Sequence, residues 1–149
     1  WTLSGACNFF EMFRHPPETS YIDAMQEPPP LPWPWLSEWE LEFYVSEYSR
    51  TGFTGGLNWY RSMDIKWEER KAFEGVQSEV PAWFIGSERD VDLEGFHGDD
   101  PIALMRGQFP RLMDVQMIPG AGHMVQLEAS DEVNSILLNY LGRIEDAEM

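Results

Sequence analysis

Apolar positions recur at helical spacing between residues 38 and 51 of the 149-residue chain. The stripe occupies positions i, i+3, i+4 and i+7 and consists of Leu41, Tyr44, Val45 and Tyr48. Ser37 and Glu40 have the spacing of a capping box, which predicts that the helix begins here, and Gly52 predicts its end. The pattern therefore predicts a well-defined helix with a buried apolar face.

A second helical pattern lies near the end of the sequence. Its apolar stripe consists of Val133, Ile136, Leu137, Tyr140 and Leu141. Ser130 can cap this helix, acidic residues follow in its first turn, and Gly142 comes directly after the last predicted turn. We therefore expect a helix that ends at about residue 141 and buries the whole stripe.

Two short apolar runs, at residues 80–86 and 112–118, have the length and composition of buried strands. Between them, Asp100 can cap a helix over residues 101–108, whose first residue is a proline. The order strand, helix, strand, helix is typical of a doubly wound α/β fold with a parallel sheet. The fold class predicted for this part of the chain is therefore α/β.

The middle of the chain gives weaker signals. Gly55 and Gly56 predict a sharp turn after the first helix, and Trp67 and Phe73 are expected to anchor the segment that follows. Five prolines in residues 27–35 exclude a helix or a central strand there. Such a run can bind an SH3-type partner, or it can be a stiff connector inside a domain. The connector is the simpler interpretation, because short proline motifs match often by chance.

Charge and cysteine content exclude several classes of function. The chain has 26 acidic and 10 basic side chains and a formal net charge of -16, which disfavours nucleic acid and membrane surfaces as partners. No apolar run reaches the ~20 residues that a membrane span requires. A single cysteine, Cys7, cannot form an internal disulfide, and the histidine spacing indicates no metal site. No cofactor is predicted. We expect a protein of the reducing cytoplasm.

Two loops are candidates for a functional site, because ligands of parallel sheets bind beyond the carboxyl ends of the strands. The loop at residues 119–124 reads Pro-Gly-Ala-Gly-His-Met and presents His123, a candidate general base. Asp90, in the loop at residues 87–90, can accept the imidazole N–H and fix the tautomer. Two further acids, Glu88 and Asp92, compete for this role. A satisfied surface histidine is the alternative interpretation of His123.

Three stretches resemble, in the right order, the epoxide hydrolases of the α/β-hydrolase fold. Residues 51–61 (TGFTGGLNWYR) resemble the cap segment of that family, residues 83–90 (WFIGSERD) its acid-bearing strand, and residues 119–141 its histidine loop and last helix. The resemblance covers roughly residues 21–142, with a looser similarity at residues 1–5. It implies an enzyme that hydrolyses an epoxide to a vicinal diol through an alkyl-enzyme ester.

The resemblance also implies roles for individual residues. Tyr60 would donate a hydrogen bond to the epoxide oxygen, which a neutral phenol can do at pH 7. His123, oriented by Asp90, would activate the water that hydrolyses the ester. Trp59 and Met124 would contact a small apolar epoxide, although relatives often carry an aromatic residue where this chain has Met124. Spacing alone predicts only that Tyr60 packs beside Trp59.

The resemblance further implies that the chain is the carboxyl-terminal part of such an enzyme. Residues 1–73 would be the end of a helical cap domain, and residues 74–149 the end of the α/β-hydrolase core. The nucleophilic aspartate, the oxyanion-hole loop and the first cap tyrosine of the family have no counterpart here, and the chain begins at Trp1 rather than at a methionine. We expect the chain to be silent alone and to associate with the missing part or as a homo-oligomer.

Two other functions stay open from the sequence. A haloalkane or fluoroacetate dehalogenase shares the aspartate and histidine machinery but holds a halide with Trp or Asn donors, so Tyr60 favours the epoxide. A non-catalytic fragment that binds partners through its proline run is the alternative from a different class. Assays of a completed enzyme with an epoxide and with a haloalkane or fluoroacetate would distinguish the two hydrolases. A pull-down with a peptide of residues 27–35 would test partner binding.

Overall fold

The computed structural model describes residues 1–95 and 98–148. The chain divides into two compact units. The first, here called the sheet unit, comprises Trp1–Pro29 and Ser78–Met149, and the second, the helical unit, comprises Pro30–Gln77. None of the helices in the described ranges has the length and the apolar character that crossing a bilayer demands.

The α-helices are, in chain order, α1 (Tyr21–Ala24), α2 (Glu38–Thr51), α3 (Thr54–Arg61), α4 (Met63–Arg70), α5 (Val91–Gly95), α6 (Pro101–Gln108), α7 (Val125–Glu128) and α8 (Ser130–Glu148). The strands are β1 (Ala82–Ser87) and β2 (Leu112–Ile118), and two short 3-10 helices span Phe9–Arg14 and Lys71–Phe73. The elements after residue 80 follow the predicted order of an α/β fold.

Strands β1 and β2 form a two-stranded parallel sheet, with Ser87 opposite Ile118 at the carboxyl ends. Helices α5 and α6 lie in the connection between the strands, which confirms the predicted α/β class. Strand β2 and helix α6 have the predicted bounds, and the Asp100 carboxylate accepts the predicted hydrogen bond from the Ala103 amide at 2.8 Å. Strand β1 begins at Ala82 because the proline before it has no N–H to donate.

The apolar core of the sheet unit consists of two clusters. Phe9, Ala24 and Val91 form the first, which ties the beginning of the chain to helix α5. The second lies between the sheet and α8 and is formed by Ile118, Ala121 and Val133, with Ile85 and Ile136 packed against it. Residues 1–29 thus belong to the same compact unit as the strands, whereas the sequence had grouped residues 1–73 together. The assignment of residues 1–73 to a cap and of 74–149 to a core stays a prediction.

Helix α8 differs from its prediction in two respects. Val133 and Tyr140 are buried as expected, but Leu137 and Leu141 are exposed. A two-stranded sheet is too narrow to cover a stripe of five residues, so only one edge of the stripe finds a partner. Gly142 does not end the helix, which continues to Glu148. A glycine disfavours a helix by only about 1 kcal/mol, and the following residues are good helix formers.

In the helical unit, the predicted ends of α2 are confirmed but its predicted burial is wrong. The Ser37 hydroxyl accepts from the Glu40 amide at 3.3 Å, the Glu40 carboxylate accepts from the Ser37 amide at 2.7 Å, and Gly52 caps the other end with a φ of 67°. No residue of α2 is buried, and its stripe of Leu41, Tyr44, Val45 and Tyr48 is exposed. Capping bonds form within four residues, whereas burial requires a facing layer, which the helical unit does not provide.

Two further predictions for the helical unit are also wrong. Trp67 and Phe73 are exposed rather than anchored. The sharp turn lies at Gly52, and the paired glycines Gly55 and Gly56 are in the first turn of α3. The proline run, by contrast, contains neither helix nor strand, as predicted.

Candidate active site

The carboxyl ends of β1 and β2 bring two loops together. The Ser87 hydroxyl, at the end of β1, is fully buried and donates a hydrogen bond to the Gly122 carbonyl at 2.6 Å. The Arg89 amide donates to the Ala121 carbonyl at 3.2 Å. These bonds join the loop after β1 to the loop after β2, at the edge where a parallel sheet binds its ligands.

The side chains of Asp90 and His123 meet at this edge. His123 Nδ1 lies 3.0 Å from Asp90 Oδ1, and the two side chains are 33% and 17% exposed. Asp92 is the farther acid, since its Oδ2 lies 3.8 Å from the same nitrogen. The Asp92 amide donates to Asp90 Oδ1 at 2.9 Å and so fixes the carboxylate that faces the imidazole. Of the predicted acids, Asp90 is therefore the one in hydrogen-bonding contact.

This geometry allows acid–base chemistry. A proton on Nδ1 donates to the Asp90 carboxylate and leaves Nε2 of His123 with a lone pair. A partly exposed imidazole of this kind can take a proton from water, and the carboxylate stabilises the imidazolium that results. Within the described residues 1–95 and 98–148, Asp90, Asp92 and His123 also offer ligand atoms within 4.8 Å of one another, so this group could hold a metal ion.

Two glycines give the histidine loop its shape. Gly120 has a φ of 78°, a conformation that residues with a side chain rarely adopt. Gly122 lies so close to the backbone of residues 3–5 that a Cβ atom there would collide with it. The backbone amide of His123 donates to the Leu3 carbonyl at 2.9 Å. The glycine-flanked loop predicted from the sequence thus presents His123, and it also receives the beginning of the chain.

Sequence reasoning missed three residues at this edge: Ser87, Arg89 and Glu128. The Arg89 guanidinium donates to the Gly5 carbonyl at 2.7 Å, and the Glu128 carboxylate accepts from the Gly5 amide at 2.8 Å. Two signals were available in the sequence. Ser87 ends an apolar strand, and Glu128 is the single acid between the histidine loop and the last helix. Neither signal identifies a backbone group of residue 5 as the partner.

Three predicted site residues remain, two in the helical unit and one in the sheet unit directly after His123. Tyr60 and Trp59 are on α3 in the helical unit, and Tyr60 is 65% exposed. The Lys66 ammonium lies 3.0 Å from the centre of the Trp59 ring, and Trp59 lines an open groove of about 340 Å³ between α3 and α4. Met124 is exposed at the start of α7 in the sheet unit. Their proposed contacts with a substrate stay predictions.

A parallel sheet with an acid and a histidine at its carboxyl edge has the arrangement of an α/β-hydrolase, in which the acid-bearing strand end precedes the histidine loop. Solved structures support this class. Potato (Solanum tuberosum) epoxide hydrolase I superposes with a TM-score of 0.69 at 32% identity, over 74% of this chain and 35% of the potato chain. A variant of the Vigna radiata epoxide hydrolase superposes with a TM-score of 0.72 at 32% identity, over 78% and 37%.

Comparison with curated proteins narrows the class further. Epoxide hydrolase A of Mycobacterium tuberculosis is 38% identical over 130 residues, which cover 87% of this chain and 39% of that protein. Epoxide hydrolase 1 of Siraitia grosvenorii is 31% identical over 79% of this chain and 38% of that protein. No family model matches. The chain belongs to the α/β-hydrolase-fold epoxide hydrolases and spans about two fifths of the length of these relatives.

Proposed function

We propose that the chain supplies the water-activating part of an epoxide hydrolase, an enzyme that converts a small apolar epoxide and water to a vicinal diol. The observation that carries the proposal is the hydrogen-bonding contact of 3.0 Å between His123 Nδ1 and Asp90 Oδ1 at the carboxyl edge of the sheet. Similarity to epoxide hydrolases over most of the chain supports the substrate class.

The reaction has two steps. In the first, an aspartate from the part of the fold that this chain does not span attacks a ring carbon of the epoxide, and the C–O bond opens to give an ester and an alkoxide that takes up a proton. In the second, His123 Nε2 takes a proton from water, and the hydroxide attacks the ester carbonyl. The ester C–O bond then breaks, and the diol leaves with the proton from the imidazolium. The aspartic acid that is released ionises again, and its proton replaces the one that the alkoxide took up in the first step. Asp90 stabilises that imidazolium.

The helical unit is proposed to contribute to the cap. Tyr60 would donate its phenolic hydrogen to the oxygen of the opening epoxide, where negative charge develops. Trp59 and Met124 would contact the apolar part of the substrate. The proposal includes a cytoplasmic location, which rests on the single cysteine. It also includes association of the chain with the rest of the fold or with a second copy.

The proposal can be tested in a chimera. The aligned part of Mycobacterium tuberculosis epoxide hydrolase A would be replaced by this chain, and diol formation from a model epoxide would be measured. We expect turnover in the chimera and a loss of about a thousandfold or more in His123→Ala, because general base catalysis and orientation are both lost. Intact-mass measurement of this variant should detect an ester that accumulates, since only the second step needs the base.

His15 offers a matched control, because it is an exposed histidine outside the site. His15→Ala should keep full turnover. Undiminished turnover in His123→Ala, or halide release from a haloalkane in place of diol formation, would contradict the proposal. The chain alone should form no diol above background, and diol formation that depends on His123 would contradict this part.

A further inference from the structure

A segment at the start of the chain, here called the strap (residues 3–5), is bonded to both loops of the candidate site. Its Leu3 carbonyl accepts from the His123 amide at 2.9 Å. Its Gly5 carbonyl accepts from the Arg89 guanidinium at 2.7 Å, and the Gly5 amide donates to the Glu128 carboxylate at 2.8 Å. The two peptide groups that flank Gly5 therefore link the side chain of Arg89, next to Asp90, with the side chain of Glu128, which follows His123 in the chain.

The backbone of the strap is closely packed against the backbone of the histidine loop. A Cβ atom on Gly5 would collide with the backbone of Gly120 and Ala121, and a Cβ atom on Gly122 would collide with the backbone of the strap. Ser4, between the bonded residues, is 3% exposed. Contacts between two backbones cannot relax by a change of rotamer, so the strap and the loop move together.

We propose that Arg89 and Glu128 are positioning residues that act through the strap to keep Asp90 and His123 in hydrogen-bonding contact. The role in catalysis rests on the proposed function, whereas the positioning itself is a property of the folded chain. Both bonds to Gly5 are charge-assisted and partly buried, which makes them roughly twice as strong as neutral hydrogen bonds. Arg89 bonds to the strap from the loop after β1, and Glu128 bonds to it from α7, the helix that follows the histidine loop.

The position of these bonds explains why they matter for this pair. The loops are joined near the sheet by Ser87 and by backbone hydrogen bonds, but the pair itself lies beyond those bonds and is partly exposed. The strap supplies a third attachment through the backbone of His123. Catalytic geometry is sensitive to displacements of about 1 Å. An attachment at His123 therefore affects the geometry of the Asp90–His123 pair more than an attachment at the end of the strand does.

The test uses NMR on the whole chain, with two signals. The first is the low-field proton resonance of His123 Nδ1–H, which reports the contact with Asp90, and the second is the exchange rate of the His123 backbone amide, which reports the bond to Leu3. We expect Arg89→Met and Glu128→Met each to broaden or abolish the first signal and to raise the second rate about tenfold or more. Glu128→Gln keeps an acceptor for the Gly5 amide and should restore both signals to near those of the parent chain.

Two controls separate positioning from a general loss of stability. Arg106→Met and Glu132→Met change exposed residues of the same types in α6 and α8 and should leave both signals unchanged. Amides of β1 should keep their exchange rates in the Arg89 and Glu128 variants. Gly5→Ala, which displaces the strap while all loop side chains stay in place, should reproduce the loss of both signals and serves as a second route if a methionine variant does not fold.

The proposal is overturned if both signals persist in Arg89→Met, Glu128→Met and Gly5→Ala, or if β1 amides exchange faster in proportion to the His123 amide. Neither signal requires an epoxide. Failure of the positioning and failure of the proposed reaction are therefore observed in separate experiments, one on the chain and one on the chimera.

Discussion

The two units of the molecule obtain their order in different ways. In the sheet unit, the histidine loop bonds both to Ser87 of β1 and to the strap, which come from distant parts of the chain, and the unit contains two apolar clusters. In the helical unit, α2 has both of its ends fixed by bonds to near neighbours, yet α2, α3 and α4 bury no residue. Strong local signals can therefore define a helix without giving it a core.

The contrast has a consequence for function. A pair such as Asp90 and His123 needs a fixed distance between residues on different loops, which only long-range contacts can set. Tyr60 lies on a helix whose internal order is local, so its contribution to a site depends on what covers the helical unit. The proposed acid and base thus belong to the unit that long-range contacts hold together, and the proposed phenol belongs to the unit with no core of its own.

The largest difference between the units is expected for glycine to alanine substitutions. Gly122→Ala would place a methyl group against the backbone of the strap, and we expect a loss of about 3 kcal/mol in the free energy of unfolding, the upper end of the overpacking range. Gly56→Ala adds a methyl group where nothing lies within 4 Å and replaces glycine in a helix, so α3 should gain about 0.5–1 kcal/mol.

The loss of stability in Gly122→Ala is measured by denaturant unfolding of the sheet unit, with amide exchange in β1 as the signal. Carbon-13 Cα shifts of α3 measure the gain in Gly56→Ala. Equal effects of the two substitutions, or a stabilised sheet unit in Gly122→Ala, would show that the close approach of strap and loop is absent in solution.

Valine to alanine substitutions form a second matched pair. Val133 is buried in the cluster beneath the sheet, and we expect Val133→Ala to destabilise the sheet unit by about 2 kcal/mol through lost burial and a cavity. Val45 is exposed on α2, so Val45→Ala loses no packing and exchanges a β-branched residue for a better helix former. The population of α2 should rise slightly.

Thermal unfolding and Cα shifts of α2 test this pair. A destabilising effect of Val45→Ala similar to that of Val133→Ala would mean that the stripe on α2 is covered in solution, for example by a second copy of the chain. Concentration dependence of the effect would then identify self-association as the cause.

The sequence was informative wherever a structural rule acts over a few residues. The capping box at Ser37, the cap at Asp100 and the strand at residues 112–118 were all predicted at their observed places. Burial was predicted less well because it depends on the width of the opposing layer. Leu137 has the helical spacing of a core residue, but the narrow sheet reaches only Val133, Ile136 and Tyr140.

The same distinction applies to the candidate site. The contact between Asp90 and His123 followed from the rule that parallel strands end at one edge, together with the resemblance to a known family. The bonds of Arg89 and Glu128 to Gly5 span 84 and 123 positions, and they involve backbone groups that every residue possesses. No pattern of side chains marks such a partner, so the strap could be found only from coordinates.

The smallest effect is expected at the start of α2, and it depends on pH. Hydrogen bonds from the Ser37 hydroxyl and amide lower the pKa of the Glu40 carboxyl below its ordinary value of 4.5. A carboxyl with a lowered pKa stabilises the helix fully above its unfolded pKa, and this contribution is lost as the pH falls through the folded value. We therefore expect Cα shifts of α2 to report fraying below about pH 4.5, while those of α3 change less.

Ser37→Ala removes the stronger of the two causes and the cap itself. At neutral pH the helical population in the first turn of α2 should fall by roughly a fewfold, and the pH dependence below 4.5 should flatten. The sheet unit should be unaffected, because the bonds that fix α2 extend over only four residues. Destabilisation of β1 in this variant would show that the helical unit and the sheet unit fold as one cooperative body, and the contrast between local and long-range order would have to be abandoned.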